Sequence, residues 1–122
     1  MTVEEYLAGL EHPRIRDIEV VRAAILGAEP AAVESVKWNA PNFAMGGQDR
    51  VTFRLQPGGR FQVVLHRGAR VKDSSGFTFE DPDNLVTWAS ADRGVIDVPA
   101  GVASSGELAR VLAVICRWLR VE

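Results

Sequence analysis

Hydrophobic positions recur along this chain at two periods, and the change of period divides it. Val3, Leu7 and Leu10 fall on one helical face, and Thr2 followed by Glu5 is the capping-box pair that opens a helix. That short helix is expected to end between Gly9 and His12, and Pro13 suits the first turn of another. Ile15, Ile18, Val21, Ile25 and Ala28 follow at helical spacing, with Arg14, Arg16, Asp17, Glu19 and Arg22 mostly opposite. Pro30 disfavours helix at Glu29 and ends this element, and Ala31 to Ser35 reads as a connection.

Beyond it the period falls to two. Val36 and Trp38 alternate with Lys37, which predicts a strand; the Trp38 indole is either core, the favoured position by its parity with Val36, or a binding platform. Pro41 cannot donate to a ladder and drives Ala40 towards extended geometry, so Asn39-Ala40-Pro41 is expected to be a corner. Phe43 and Met45 continue as strand into a turn at Gly46-Gly47-Gln48-Asp49. Val51, Phe53 and Leu55 alternate with Thr52, Arg54 and Gln56; Pro57-Gly58-Gly59 turns the chain; Phe61, Val63 and Leu65 alternate with Gln62, Val64 and His66. One face is apolar and the other largely polar, as in an antiparallel sheet covered on one side.

Arg67 to Asn84 reads mainly as loop, with Phe77 and Phe79 as a brief edge strand. Leu85 to Trp88 and Val95 to Val98 are two further strands around a turn at Ala91-Asp92-Arg93-Gly94. Ser104 followed by Glu107 is a second capping box, and Leu108, Val111, Leu112, Ile115 and Leu119 form the stripe of a last helix. The order predicts an α+β fold: a single antiparallel β-sheet with N- and C-terminal helices packed on one face and the other face open. Phe53, Leu55, Phe61, Val63, Ile18 and Leu112 should share its core.

The length of 122 residues suits one domain spanning 1–122. A composition of 47% hydrophobic and 25% charged residues excludes global disorder, and a net charge of −2 supplies no field that would draw the whole chain to nucleic acid or anionic lipid. Any basic patch must be local. The single cysteine, Cys116, rules out an internal disulfide and fits a reducing compartment. Glu4 and Glu5 interrupt the start, so it is not a signal peptide, and no apolar run approaches the ~20 residues of a membrane span. The expectation is a soluble cytoplasmic protein, monomeric or weakly dimeric, without nucleic-acid or membrane partners.

Strand parity places Lys37, Arg50, Thr52, Arg54, Gln56, Gln62, Val64 and His66 on the open face. Several cations on one face make an anion site, although a solvent-facing sheet is normally polar and charge alone does not decide. Lys37 and Asn39 stand at the predicted corner, where a pocket can form. His66, followed by Arg67-Gly68, is a candidate base, but a lone histidine beside basic residues more often only hydrogen-bonds. His12 and His66 lie far apart with no carboxylate at ligand spacing, which argues against zinc. Cys116 reads as a buried thiol. The chain lacks a phosphate-cradling glycine loop, a serine elbow, a paired-cysteine motif and an RNP-type aromatic stretch.

At Lys37-Trp38-Asn39-Ala40-Pro41-Asn42-Phe43 the sequence resembles the YdhG-like domain family: a Lys-Trp pair, a proline three residues after the tryptophan, then an aromatic. Val3-Glu4-Glu5-Tyr6-Leu7, His12-Pro13-Arg14, Leu65-His66-Arg67-Gly68-Ala69 and Trp88 with Asp92-Arg93 look like one branch of that family, so the resemblance spans nearly the whole chain. It implies an antiparallel sheet flanked by helices in a two-layer, frataxin-like arrangement. Through members labelled by that similarity it also implies an intracellular iron chaperone. Frataxin-type iron binding uses a dense acidic ridge, whereas here Glu4, Glu5, Glu11, Asp17, Glu19, Glu29 and Glu34 are interspersed with Arg14, Arg16 and Arg22. Iron is therefore not favoured, and no other cofactor is expected.

The leading reading is a non-enzymatic binding domain. Its candidate site is Lys37, Trp38, Asn39, Pro41 and Phe43 with His66, Arg67, Asp92 and Arg93, and its ligand a small anion or an acidic segment of a protein partner. The alternatives are the iron chaperone and a hydrolase-like enzyme with His66 as base and Lys37 as electrophilic stabiliser.

Overall fold

Thr2 opens the first helix as its pattern predicts: its hydroxyl accepts from Glu5 N–H, and the Glu5 carboxylate accepts from Thr2 N–H. The computed structural model describes residues 1–69 and 72–121. The elements are α1 (Val3–Ala8), α2 (Ile15–Ala28), β1 (Val33–Lys37), β2 (Ala40–Met45), β3 (Gln48–Arg54), β4 (Gln62–Leu65), β5 (Val86–Ser90), β6 (Arg93–Asp97) and α3 (Leu108–Leu119). The strands form one antiparallel sheet in the order β1-β2-β3-β4-β6-β5.

The helices supply Val3, Leu7, Ile18, Val21, Ile25, Val111 and Ile115 to a core shared with Phe43, Val51, Phe53, Leu55, Phe61, Val63 and Leu65 from the sheet side. Leu112 packs against this core half-buried. The α+β architecture with helices on one face is therefore as the periodicity predicts. Among the described residues no helix is long and apolar enough to cross a membrane.

Four local expectations are corrected. The chain reverses at Trp38-Asn39, not at Asn39-Ala40-Pro41: both residues adopt positive φ, 52° and 55°, and Lys37 pairs with Ala40 across a two-residue hairpin loop. That rotation is the left-handed pair such loops require. Pro41 lies within β2 opposite Val36, next along from the closing pair. Bonded and non-bonded pairs alternate in an antiparallel ladder, so its missing N–H costs the β1 pairing nothing. Second, β1 begins at Val33, inside the expected connection. Third, Phe77 and Phe79 form no strand; they pack edge-on against Trp118, a helix residue that the apolar stripe omits. Fourth, α3 starts after Glu107 without a side-chain cap, so Ser104 and Glu107 make no capping box.

A bulge in β3 sets the open face. Phe43 pairs with Val51 but Ala44 pairs with Asp49, which leaves Arg50 as the extra residue. Val51 stays on the core side, while the added residue turns Asp49 to the side of Ala40, Asn42 and Thr52. Without the bulge, alternation would send Asp49 towards the core.

Candidate functional site

The register Asn42↔Thr52, Thr52↔Val64 and Val64↔Val95 runs one row of side chains across the open face. Thr52 is the centre of a directed hydrogen-bond chain. Gly68 N–H donates to His66 Nδ1 at 3.0 Å, so the neutral ring carries its proton on Nε2. Nε2–H then donates to Thr52 Oγ1 at 2.8 Å, Thr52 Oγ1–H to Asn42 Oδ1 at 2.7 Å, and Asn42 Nδ2–H to Asp49 Oδ1 at 2.8 Å. Lys37 Nζ closes the chain on the Asp49 carboxylate at 2.9 and 3.1 Å.

Each link has an electrostatic consequence. Burial pushes the His66 imidazole below its ordinary 6.5, and the Arg93 and Arg50 charges add to that against the pull of Asp49. Burial would raise the Asp49 carboxyl, but the bonds from Lys37 and Asn42 outweigh it and hold the group below its usual range. Both ring nitrogens of His66 are occupied, which leaves no lone pair for a base or a metal ligand in this arrangement.

Beside this chain lies an open cleft of about 400 Å³, with Thr52, Arg54, Val64, His66, Gly68 and Arg93 among its lining residues. Trp38 stands at its edge. The left-handed turn carries the indole to the open face, where it is 58% exposed and meets the His66 ring edge-on at 5.9 Å. The expected core position for Trp38 is therefore wrong: parity continues only while the strand does, and the strand ends at Lys37. Tyr6 fixes the turn by donating its hydroxyl to Asn39 O at 2.9 Å. Arg54 donates to Gln62 at 3.3 Å. Among the described residues neither Arg54 nor Arg93 meets a carboxylate.

The candidate residues thus separate. Trp38, Asn39, His66 and Arg93 line the cleft together. Lys37 is half-exposed and committed to Asp49. Pro41 and Phe43 are buried, Phe43 wholly within the core. Arg67 pairs with Asp92 at 3.3 Å and stacks over Phe77 at 4.6 Å, in an adjoining second cleft that shares His66, Gly68, Ala69 and Arg93 with the first. Strand parity puts Arg54 and Thr52 on the open face without assigning them to the site. Asn42 and Asp49 were missed, because only the bulge brings Asp49 to this face.

Four of the acidic residues in the helical region have partners within the fold. Glu5 caps α1, Asp17 binds Arg14 at 2.8 Å, Glu34 binds Arg22, and Glu29 binds Arg120 at 2.9 Å. Among the described residues no three His, Cys, Asp or Glu side chains converge as a metal ion would require. No family model, no curated protein and no solved structure matches this chain.

Proposed function

We propose that this chain is a non-enzymatic binding domain whose open-face cleft takes a small organic anion, a planar or aromatic body bearing a carboxylate. One observation carries the reading: two guanidinium groups without carboxylate partners among the described residues, Arg54 and Arg93, line one cleft with an outward-turned indole, Trp38. Guanidinium is a planar donor matched to carboxylate, and an exposed tryptophan offers a stacking face of large area. Val64 gives the cleft an apolar lining residue between them.

Membership of the YdhG-like family belongs to this reading and rests on the Lys37 to Phe43 stretch. A binding role is preferred over the hydrolase-like alternative because His66 spends both nitrogens on Thr52 and Gly68. The test is calorimetric titration with benzoate and indole-3-acetate. The unmodified protein should bind at least one of them, and Arg93→Met and Arg54→Met should each weaken binding about tenfold, the value of one charged hydrogen bond. Absence of binding, or binding indifferent to both variants, refutes the proposal.

A further inference from the structure

Arg50 is the anomaly of the open face. It is the bulged residue of β3, only 3% exposed, and among the described residues its guanidinium makes a single hydrogen bond, Nη2 to Gln48 Oε1 at 3.1 Å. Its Nε and Nη1 are buried with no acceptor, and no carboxylate among the described residues pairs with it. An uncompensated buried charge is among the costliest features a fold can carry.

Its neighbours deepen the problem. Lys72 Nζ donates to the same Gln48 oxygen, so two cations share one neutral acceptor. Arg67 is close enough to oppose the Arg50 charge, and both arginines oppose that of Lys72. Of the nearby carboxylates among the described residues, Asp92 is held by Arg67 and Ser90, and Asp73 accepts from Ser75 N–H. A cleft of about 380 Å³ lined by Arg67, Lys72, Ser74, Ser90 and Arg93 opens beside the cluster. Buried water would give Arg50 an acceptor but would leave the charge uncompensated. A multivalent oxyanion supplies both, with acceptors in several directions for several donors.

We propose that Arg50, Lys72 and Arg67 form a receptor for a tetrahedral oxyanion of the phosphate or sulfate type, with the β-bulge serving to place the Arg50 guanidinium at its base. Bulges re-aim side chains at functional sites, and this one inserts the residue that the rest of the fold leaves unpartnered. The site adjoins the carboxylate cleft and shares Arg93 with it, but Arg50, Lys72 and Arg67 do not line that cleft, and the proposal does not depend on it.

The test is thermal unfolding at constant ionic strength in chloride, inorganic phosphate, sulfate or phenyl phosphate. Constant ionic strength removes general screening from the comparison. At about 100-fold excess over the dissociation constant, phosphate or sulfate should raise Tm by roughly 3–6 °C over chloride. A rise with phenyl phosphate but not with inorganic phosphate also supports the site and assigns the phosphoryl group to an organic ligand. Arg50→Met should melt no lower than the unmodified protein in chloride, since it removes an orphan charge, and should lose the oxyanion-dependent rise. Lys72→Met should at least halve that rise, and it decides the matter if Arg50→Met does not fold. Trp38→Ala should keep the rise, which separates this site from the first cleft. No rise with any oxyanion, or an undiminished rise in Arg50→Met or Lys72→Met, overturns the proposal.

Discussion

His66 donates its Nε2 proton to Thr52 Oγ1 across 2.8 Å, and that bond sets the direction of every hydrogen bond from His66 to Asp49. A second proton on the ring would sit at Nδ1, where Gly68 N–H already donates. Burial and the neighbouring arginines oppose protonation as well. The folded pKa lies below the unfolded one, so above about pH 6.5 neither state binds the proton and stability does not change. As pH falls below 6.5 the unfolded chain takes up a proton that the folded chain refuses, and stability drops until the folded value is passed.

The first prediction follows from that sign. Urea unfolding at pH 7, 6 and 5 should show stability falling with acidification, by at most about 1.4 kcal/mol per pH unit for one proton. His66→Gln should flatten this slope. Asp49 and Asp17 are held below their usual 3.8, so their losses enter only at more acidic pH. A slope unchanged in His66→Gln would show that another group causes it.

Trp38→Ala should alter stability by no more than about 0.5 kcal/mol, as for other exposed positions, while abolishing ligand binding in the cleft. The core position that alternation suggests would instead give a loss of about 3–5 kcal/mol. Chemical denaturation separates the two outcomes clearly.

Lys37→Ala should cost less than about 1 kcal/mol, because its ion pair with Asp49 is half-exposed. It should also leave carboxylate affinity within twofold of the unmodified protein, since Lys37 does not line the cleft. A tenfold loss on calorimetry would return the site to the Lys37 corner.

Gly94→Ala probes the far side of the sheet. A Cβ there would meet Val86 Cγ1 at 2.3 Å and Trp88 Cε3 at 2.9 Å, so the indole packs where a side chain would stand. Overpacking of this kind costs about 1–3 kcal/mol, and thermal melts should register it. Gly94→Ala together with Trp88→Ala should recover part of the loss; no recovery would mean that Val86 alone sets the clash.

How far the chain could be read as sequence depends on what each feature rests on. The two strands at Val51 to Gln56 and Phe61 to His66 were legible because strict alternation has one physical reading, and it placed Thr52, Arg54 and His66 on the correct face. The reversal at Trp38-Asn39 was not legible: left-handed hairpin pairs are usually Asn-Gly or Asp-Gly, and a bulky indole in that conformation gives no composition signal. Nor was the bulge at Arg50, since one extra residue looks like ordinary alternation until pairing is known. Trp118 escaped because its role depends on partners distant in sequence: its indole N–H donates to both Arg50 O at 3.0 Å and His66 O at 2.9 Å. That contact ties α3 to the backbone of the bulge and of the cleft residue His66.

An organic anion received on the open face between Trp38, Arg54 and Arg93 must perturb all three side chains together. The most direct measurement is amide, indole and guanidinium NMR shift mapping during titration with indole-3-acetate. Saturable shifts are expected at the Trp38 indole N–H, at Arg54 and Arg93 Nε–H and at the Gly68 and Ala69 amides, with the buried Trp118 indole nearly unmoved. Shifts confined to Lys37 and β1, or no saturable shift at any of these groups, would contradict this placement.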